Sequence, residues 1–252
     1  MLEPWQLPLL FGTGLVAGFV DSIAGGGGLI ALPVLLSLGF DPQHALGTSK
    51  LQATFGSGSA AWHYAQAKTV ALGDCTRGFV FTCAGALLGT LAVQRVEPFF
   101  LKRAIPLLLI GVAFYTLLKP RLGVEEAQAR LPRRWFDVSF GLLLGFYDGF
   151  FGPGAGTFWT MAFMLGLGFN LTRATGYTKV MNFGSNLTSL ALFFLGGSVY
   201  FAAGLTMGIG QLIGARIGSR MVIARGTEFI RPIFVCVVLA LTLKLLYQQY
   251  WK

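Results

Sequence analysis

Charge is scarce in this chain. Only 12% of its 252 residues are Asp, Glu, Lys or Arg, against roughly 25% in an average soluble domain. Histidine is nearly absent, at two residues, and the three cysteines, Cys75, Cys83 and Cys236, are far apart. With 54% apolar residues and a mean hydropathy of +0.67, too little polar surface remains to wet a soluble globule. A disordered chain is excluded too, because it needs low hydrophobicity. The cysteines form neither a disulfide framework nor a metal pattern. Without a His/Cys/Asp cluster there is little for metal or nucleophilic chemistry, so no cofactor is expected and an enzyme is disfavoured. No Gly-Lys-Ser/Thr follows a Gly-rich stretch, so the chain holds no nucleotide motif that could power a pump. No basic run is interleaved with aromatics, so nucleic acid is not expected as a partner. Met1-Leu2-Glu3-Pro4-Trp5 lacks a basic start, and the first apolar stretch reads as retained.

What is present is apolar sequence in helix-length pieces. Ten segments stand out, at 7–24, 28–39, 46–65, 77–94, 99–118, 135–151, 155–168, 174–195, 199–219 and 229–250. They predict an all-α polytopic membrane protein of 8–10 membrane segments, a single membrane domain over 1–252. The one long polar stretch, 119–134, carries five Lys/Arg and two prolines. It reads as a solvated linker between repeat one, 7–118, and repeat two, 135–250.

The two halves match in order. Gly18-Phe19-Val20-Asp21 aligns with Gly145-Phe146-Tyr147-Asp148, and Gly25 and Gly27 with Gly152 and Gly154. After a two-residue insertion, Gly39-Phe40-Asp41 aligns with Gly168-Phe169-Asn170. Ala45-Leu46-Gly47-Thr48-Ser49-Lys50 then aligns with Ala174-Thr175-Gly176-Tyr177-Thr178-Lys179. Such agreement indicates internal duplication. The second and seventh segments, at about 12–14 residues, are too short to cross a 30 Å core. If each forms a back-to-back pair with the segment before it, one face collects Lys68, Arg77, the five linker charges, Arg173, Arg216, Arg220, Arg225 and Arg231. The opposite face keeps Arg95, Lys102, Arg103 and Lys252. The positive-inside rule then places the linker in the cytoplasm and both termini outside, with five segments per half and therefore inverted repeats. The net charge of +9 suits a cytoplasmic face and acidic headgroups.

Four ionisable residues fall inside apolar segments at matching positions: Asp21 and Lys50, Asp148 and Lys179. Each unpaired charge costs about 2.5–3.5 kcal/mol at a membrane helix centre on insertion scales. Either each Asp pairs with the Lys of its own half and staples the bundle, or the four line a polar cavity. Beside them lie two Gly-rich breaks, Gly25-Gly26-Gly27-Gly28 and Gly152-Pro153-Gly154-Ala155-Gly156. Short helices starting near Leu29 and Gly156 would present free N–H groups and positive dipole ends to an anion. Paired broken helices near the midplane are a recurring transporter device. Thr48, Ser49 and Gln52 on one segment, and Thr178 and Asn182 on its counterpart, add polar groups to this expected substrate site. A carboxylate beside an anion holds its proton more firmly, which makes Asp21 and Asp148 the candidates for proton coupling. Gly85/Gly89 and Gly210/Gly214/Gly218 read as packing stripes.

Gly18-Phe19-Val20-Asp21-Ser22-Ile23-Ala24-Gly25-Gly26-Gly27-Gly28, Thr48-Ser49-Lys50-Leu51-Gln52 and Gly145-Phe146-Tyr147-Asp148-Gly149-Phe150-Phe151-Gly152-Pro153 resemble the motifs of the TauE/SafE sulfite-exporter family, in its YfcA-like group. The resemblance covers nearly the whole chain. It implies a bacterial inner-membrane permease for sulfite, organosulfonates and related small anions. Together with the motifs it points to a secondary transporter, an exporter driven by protons. An uncoupled anion channel or facilitator and, less favoured, a membrane-embedded enzyme stay open as alternatives, as does a homodimer.

Overall fold

The computed structural model describes residues 3–97, 99–101, 104, 107 and 126–250, with the backbone alone for 226–250. Eight helices can be followed from end to end: α1 (Gln6–Ala24), α2 (Gly27–Ser37), α3 (Pro42–Gln66), α4 (Leu72–Gln94), α5 (Arg133–Phe150), α6 (Ala155–Leu167), α7 (Leu171–Leu195) and α8 (Phe201–Tyr250). No strand occurs among the described residues. The expected segment 99–118 lies largely outside them.

Local chemistry sets the helix ends. Gly25 closes α1 in the left-handed region at φ 76°, which costs glycine nothing sterically. α3 and α7 begin alike. A glycine at positive φ (Gly39, 86°; Gly168, 71°) is followed by an aromatic residue and a capping side chain. Asp41 Oδ1 accepts from the His44 N–H at 3.2 Å, and Asn170 Oδ1 accepts from the Arg173 N–H at 2.9 Å, satisfying N–H groups that have no helical partner. Each helix then runs 25 residues.

One expected break is absent. The sequence predicts two segments, 199–219 and 229–250, yet α8 passes through 220–228 as one helix of 50 residues. Arg220-Met221-Val222-Ile223-Ala224-Arg225 contains no helix breaker, and the lone Gly226 costs a helix only about 1 kcal/mol.

The polar residues are on the inside. On α3, Thr48, Lys50, Gln52 and Ser57 are buried, and on α7 so are Thr175, Thr178, Lys179, Asn182, Ser185, Asn186 and Ser189. The outward faces of α4, α5 and α8 carry Val80, Leu87, Leu88, Leu142, Leu143, Phe146, Leu205, Ile209, Leu212 and Ile217, all exposed. A soluble protein does not expose so continuous an apolar belt; a protein solvated by lipid does. Among the described helices, α1 and α4 are long and apolar enough to cross a bilayer by composition. α3 and α7 match them in length but are too polar to meet that standard, because their polar faces turn inward.

Glycine stripes determine how the outer helices meet. Gly14 and Gly18 of α1 lie on the Met207 and Gln211 backbone of α8, so these two helices run parallel. Gly145 and Gly149 of α5 lie on Thr82 and Ala86 of α4, a second parallel pair. α3 and α7 run in opposite directions, with Gly47 against Ser198 and Gly58 against Phe183. Gly85, Gly89, Gly210, Gly214 and Gly218 all face a neighbouring helix too closely for a Cβ, as the packing-stripe reading requires.

Candidate functional site

The two Gly-rich breaks meet at the centre of the molecule. A Cβ on Gly25 would lie 2.5 Å from Gly156 Cα and 2.6 Å from the Thr157 nitrogen, so only glycine allows this backbone approach. One on Gly28 would sit 3.1 Å from Pro153 Cα. α2 starts at Gly27 and α6 at Ala155, within two residues of expectation. Thr157 Oγ1 donates to the Ala24 carbonyl at 2.9 Å, which sets the N-terminus of α6 against the C-terminal carbonyls of α1. Tyr147 Oη donates to the Pro153 carbonyl at 2.7 Å and holds the second break.

The four intramembrane charges form two ion pairs, and each pair crosses between the halves. Lys50 Nζ lies 2.6 Å from Asp148 Oδ1, with both side chains 5% exposed. It also donates to the Asp148 carbonyl and, at 3.2 Å, to Asn186 Oδ1. Ser185 Oγ donates to the other Asp148 carboxylate oxygen. Lys179 Nζ, fully buried, lies 3.0 Å from Asp21 Oδ2, while the Gly27 N–H reaches Asp21 Oδ1 at 3.3 Å. The staple within each half is therefore corrected. Asp21 and Lys50 sit on α1 and α3 of one half, and each reaches for the oppositely charged residue of the other half.

Between the pairs is a cavity of about 40 Å³. A single water needs about 10–15 Å³ on this measure, so the space suits two or three waters or a small ion. Of the residues expected to form the site, Asp21, Gly25, Gly28, Ser49, Lys50, Asp148, Gly152, Pro153, Gly156 and Asn182 line it. The others stand behind it. Gly26 caps α2, and Gly154 caps α6 in the left-handed region. Gly27 packs on Asp21, where a Cβ would meet the Asp21 Cβ at 2.7 Å. Thr48 Oγ1 accepts from the Tyr200 N–H at 3.0 Å, and Thr178 hydrogen bonds Thr160 at 3.1 Å. Gln52 is buried, with Nε2 3.5 Å from Ser49 Oγ, and Lys179 reaches the cavity only through Asp21. Asn186 lines the cavity as well, as its place seven residues after Lys179 on the same polar face suggests. The apolar wall formed by Leu32, Leu46 and Phe151 had no sequence signal, since a cavity-lining Leu looks like any other membrane Leu.

Among the described residues, no group of His, Cys, Asp or Glu could hold a metal ion. Buried, charge-neutralised polar groups around two opposed helix breaks, wrapped in lipid-facing apolar helices, define a polytopic membrane transporter. The sequence model described as "Sulfite exporter TauE/SafE" matches residues 10–245, and the chain belongs to that family. It is 44% identical over 250 residues to the "Probable membrane transporter protein YfcA" of Escherichia coli (strain K12), covering 99% of this chain and 93% of that one. It is 43% identical over 245 residues to a "Probable membrane transporter protein" of Haemophilus influenzae, covering 97% and 96%. With the "Probable membrane transporter protein YunE" of Bacillus subtilis it shares 25% identity, covering 95% and 97%. No solved structure matches it.

Proposed function

We propose that the protein is a proton-coupled secondary transporter, not an enzyme, that exports small sulfur-containing or organic anions such as sulfite or organosulfonates across the bacterial inner membrane. The observation that carries this reading is the crossed pairing of Lys50 with Asp148 and Lys179 with Asp21 around one small cavity. With both pairs closed the site is electrically neutral. An anion that engages Lys50 draws the ammonium from Asp148. A buried carboxylate without its counter-ion is unfavourable and takes up a proton. When the anion leaves, Lys50 returns and displaces the proton. Anion and proton thus leave together, so outward flux follows the anion's own outward gradient, with the glycine breaks and Asn182 offering backbone and amide donors. The reading includes two inverted repeats, 7–118 and 135–250, and three observations support it. The capped starts of α3 and α7 correspond, these helices run oppositely, and each half supplies one Asp and one Lys to the other.

Purified protein in proteoliposomes loaded with a pH dye tests the function. Sulfite or taurine flux accompanied by proton movement is the expected result. Anion flux with no proton movement leaves an uncoupled facilitator, and chemical conversion of the compounds leaves an enzyme.

The charge asymmetry of the loops favours a cytoplasmic linker and periplasmic termini; for the C-terminus this requires α8, one continuous helix here, to break near 220–228 in the membrane. Lys252→Cys on a cysteine-free background should then be labelled by an impermeant maleimide applied from outside. Labelling only after permeabilisation would mean that α8 crosses once as the single helix seen here, giving an even number of crossings in the second half.

A further inference from the structure

A second cavity lies apart from the central site. It is an apolar groove of about 430 Å³ lined by residues of α5 and α6, with Arg130 and Leu131 of the linker at one end. Phe140 and Leu144 form one wall, and Phe158, Met161, Ala162 and Leu165 the other. From Leu165 to Phe158 the groove follows α6 for seven residues, about 10 Å of helix rise. Backbone bonds set the position of Arg130: the Arg130 and Leu131 N–H groups both donate to the Gly166 carbonyl, at 3.0 and 3.1 Å.

Two of the neighbouring arginines have partners. Arg133 pairs with Asp137 and donates to the Asp74 carbonyl, and Arg173 pairs with Glu126. Arg130 is exposed, and its guanidinium makes no hydrogen bond or ion pair among the described residues. A free cation at the mouth of an apolar groove on a lipid-facing surface complements one kind of molecule: an amphiphile with an acyl chain and an anionic head. Exposed Trp135, in the first turn of α5, marks the interfacial level.

We propose that this groove is a binding site for an anionic phospholipid of the inner leaflet, the phosphate on Arg130 and one acyl chain along Phe140, Leu144, Met161 and Phe158. The acyl chain would end at Phe158, whose ring packs edge-on against Tyr147 at 5.3 Å, and Tyr147 holds the Pro153 carbonyl of the second break. Lipid in the groove therefore bears on the loop that lines the central cavity. The inference rests on the membrane reading and the cytoplasmic linker, not on the identity of the transported anion.

Native mass spectrometry of the purified protein, titrated with phosphatidylglycerol or with phosphatidylcholine of the same chains, tests it. Wild-type protein should retain phosphatidylglycerol at least about fivefold better. Arg130→Gln should bring retention down to the phosphatidylcholine level, and Arg130→Lys should keep part of the preference. Ala162→Phe, which fills the groove, should lower retention of both lipids; if it misfolds, the Arg130 pair alone decides. Equal retention of the two lipids by wild type, or no effect of Arg130→Gln, overturns the proposal. So does a dimer cross-linked through Leu165→Cys, which would show that a second copy covers the groove.

Discussion

Replacing Lys179 by Met should destabilise the protein severely, and replacing Asp21 by Asn in the same molecule should restore its folding but not its transport. Lys179 is fully buried and pairs with Asp21 at 3.0 Å. Its loss leaves a carboxylate, 14% exposed, without its counter-ion in a low-dielectric site. Breaking such a pair costs about 3–5 kcal/mol, whereas removing both charges is often close to neutral. The same should hold for Lys50→Met with Asp148→Asn. The informative control is Asp21→Asn with Lys50→Met, which joins two residues of one half. It leaves Lys179 and Asp148 both unpartnered and should be worse than either single variant. Thermal unfolding in detergent reads out all of these, and proteoliposome flux shows which variants still transport. If the control proves as stable as Asp21→Asn with Lys179→Met, the crossed pairing is wrong.

The second large effect is expected at the contact between the two breaks. Gly25→Val and Gly156→Val should each abolish transport and lower expression, because a side chain at either position enters the backbone of the other loop. For Gly156 the first obstacles are Gly25 Cα at 2.6 Å and Asn182 Nδ2 at 2.8 Å. Gly25 also holds φ 76°, where a β-branched residue is strained. Gly27→Val should fail for a different reason, by pushing Asp21 away from Lys179. Gly89→Ala, a mild change judged from sequence, should also be damaging, since its methyl group would strike the Phe146 carbonyl of α5. Gly12→Ala and Gly73→Ala meet nothing within 4 Å. They should be neutral or slightly stabilising, by up to about 1 kcal/mol of helix propensity. Loss of function in those two would mean that glycine acts through flexibility and not through close approach.

The sequence by itself determined the environment, the helix positions and the identity of the central residues. Shortage of charge dictated a lipid-solvated protein. Runs of apolar residues located α1 to α7 to within a few residues, because a membrane helix is a local object whose length follows from bilayer thickness. Four charges where charge is costly, beside two glycine runs, marked the candidate site, because only a functional or paired role tolerates them. Only the tertiary structure decided which Asp meets which Lys, since partner choice depends on how α3 and α7 cross and neither half alone contains that information. It also decided that Asn186 and Phe151 line the cavity while Thr48 and Thr178 turn to neighbouring elements, a matter of a few tens of degrees around a helix with polar residues on most of its faces. And it made α8 continuous, because residues 220–228 carry no strong helix-breaking signal and local propensity alone cannot say whether a helix stops at a membrane surface or runs through it.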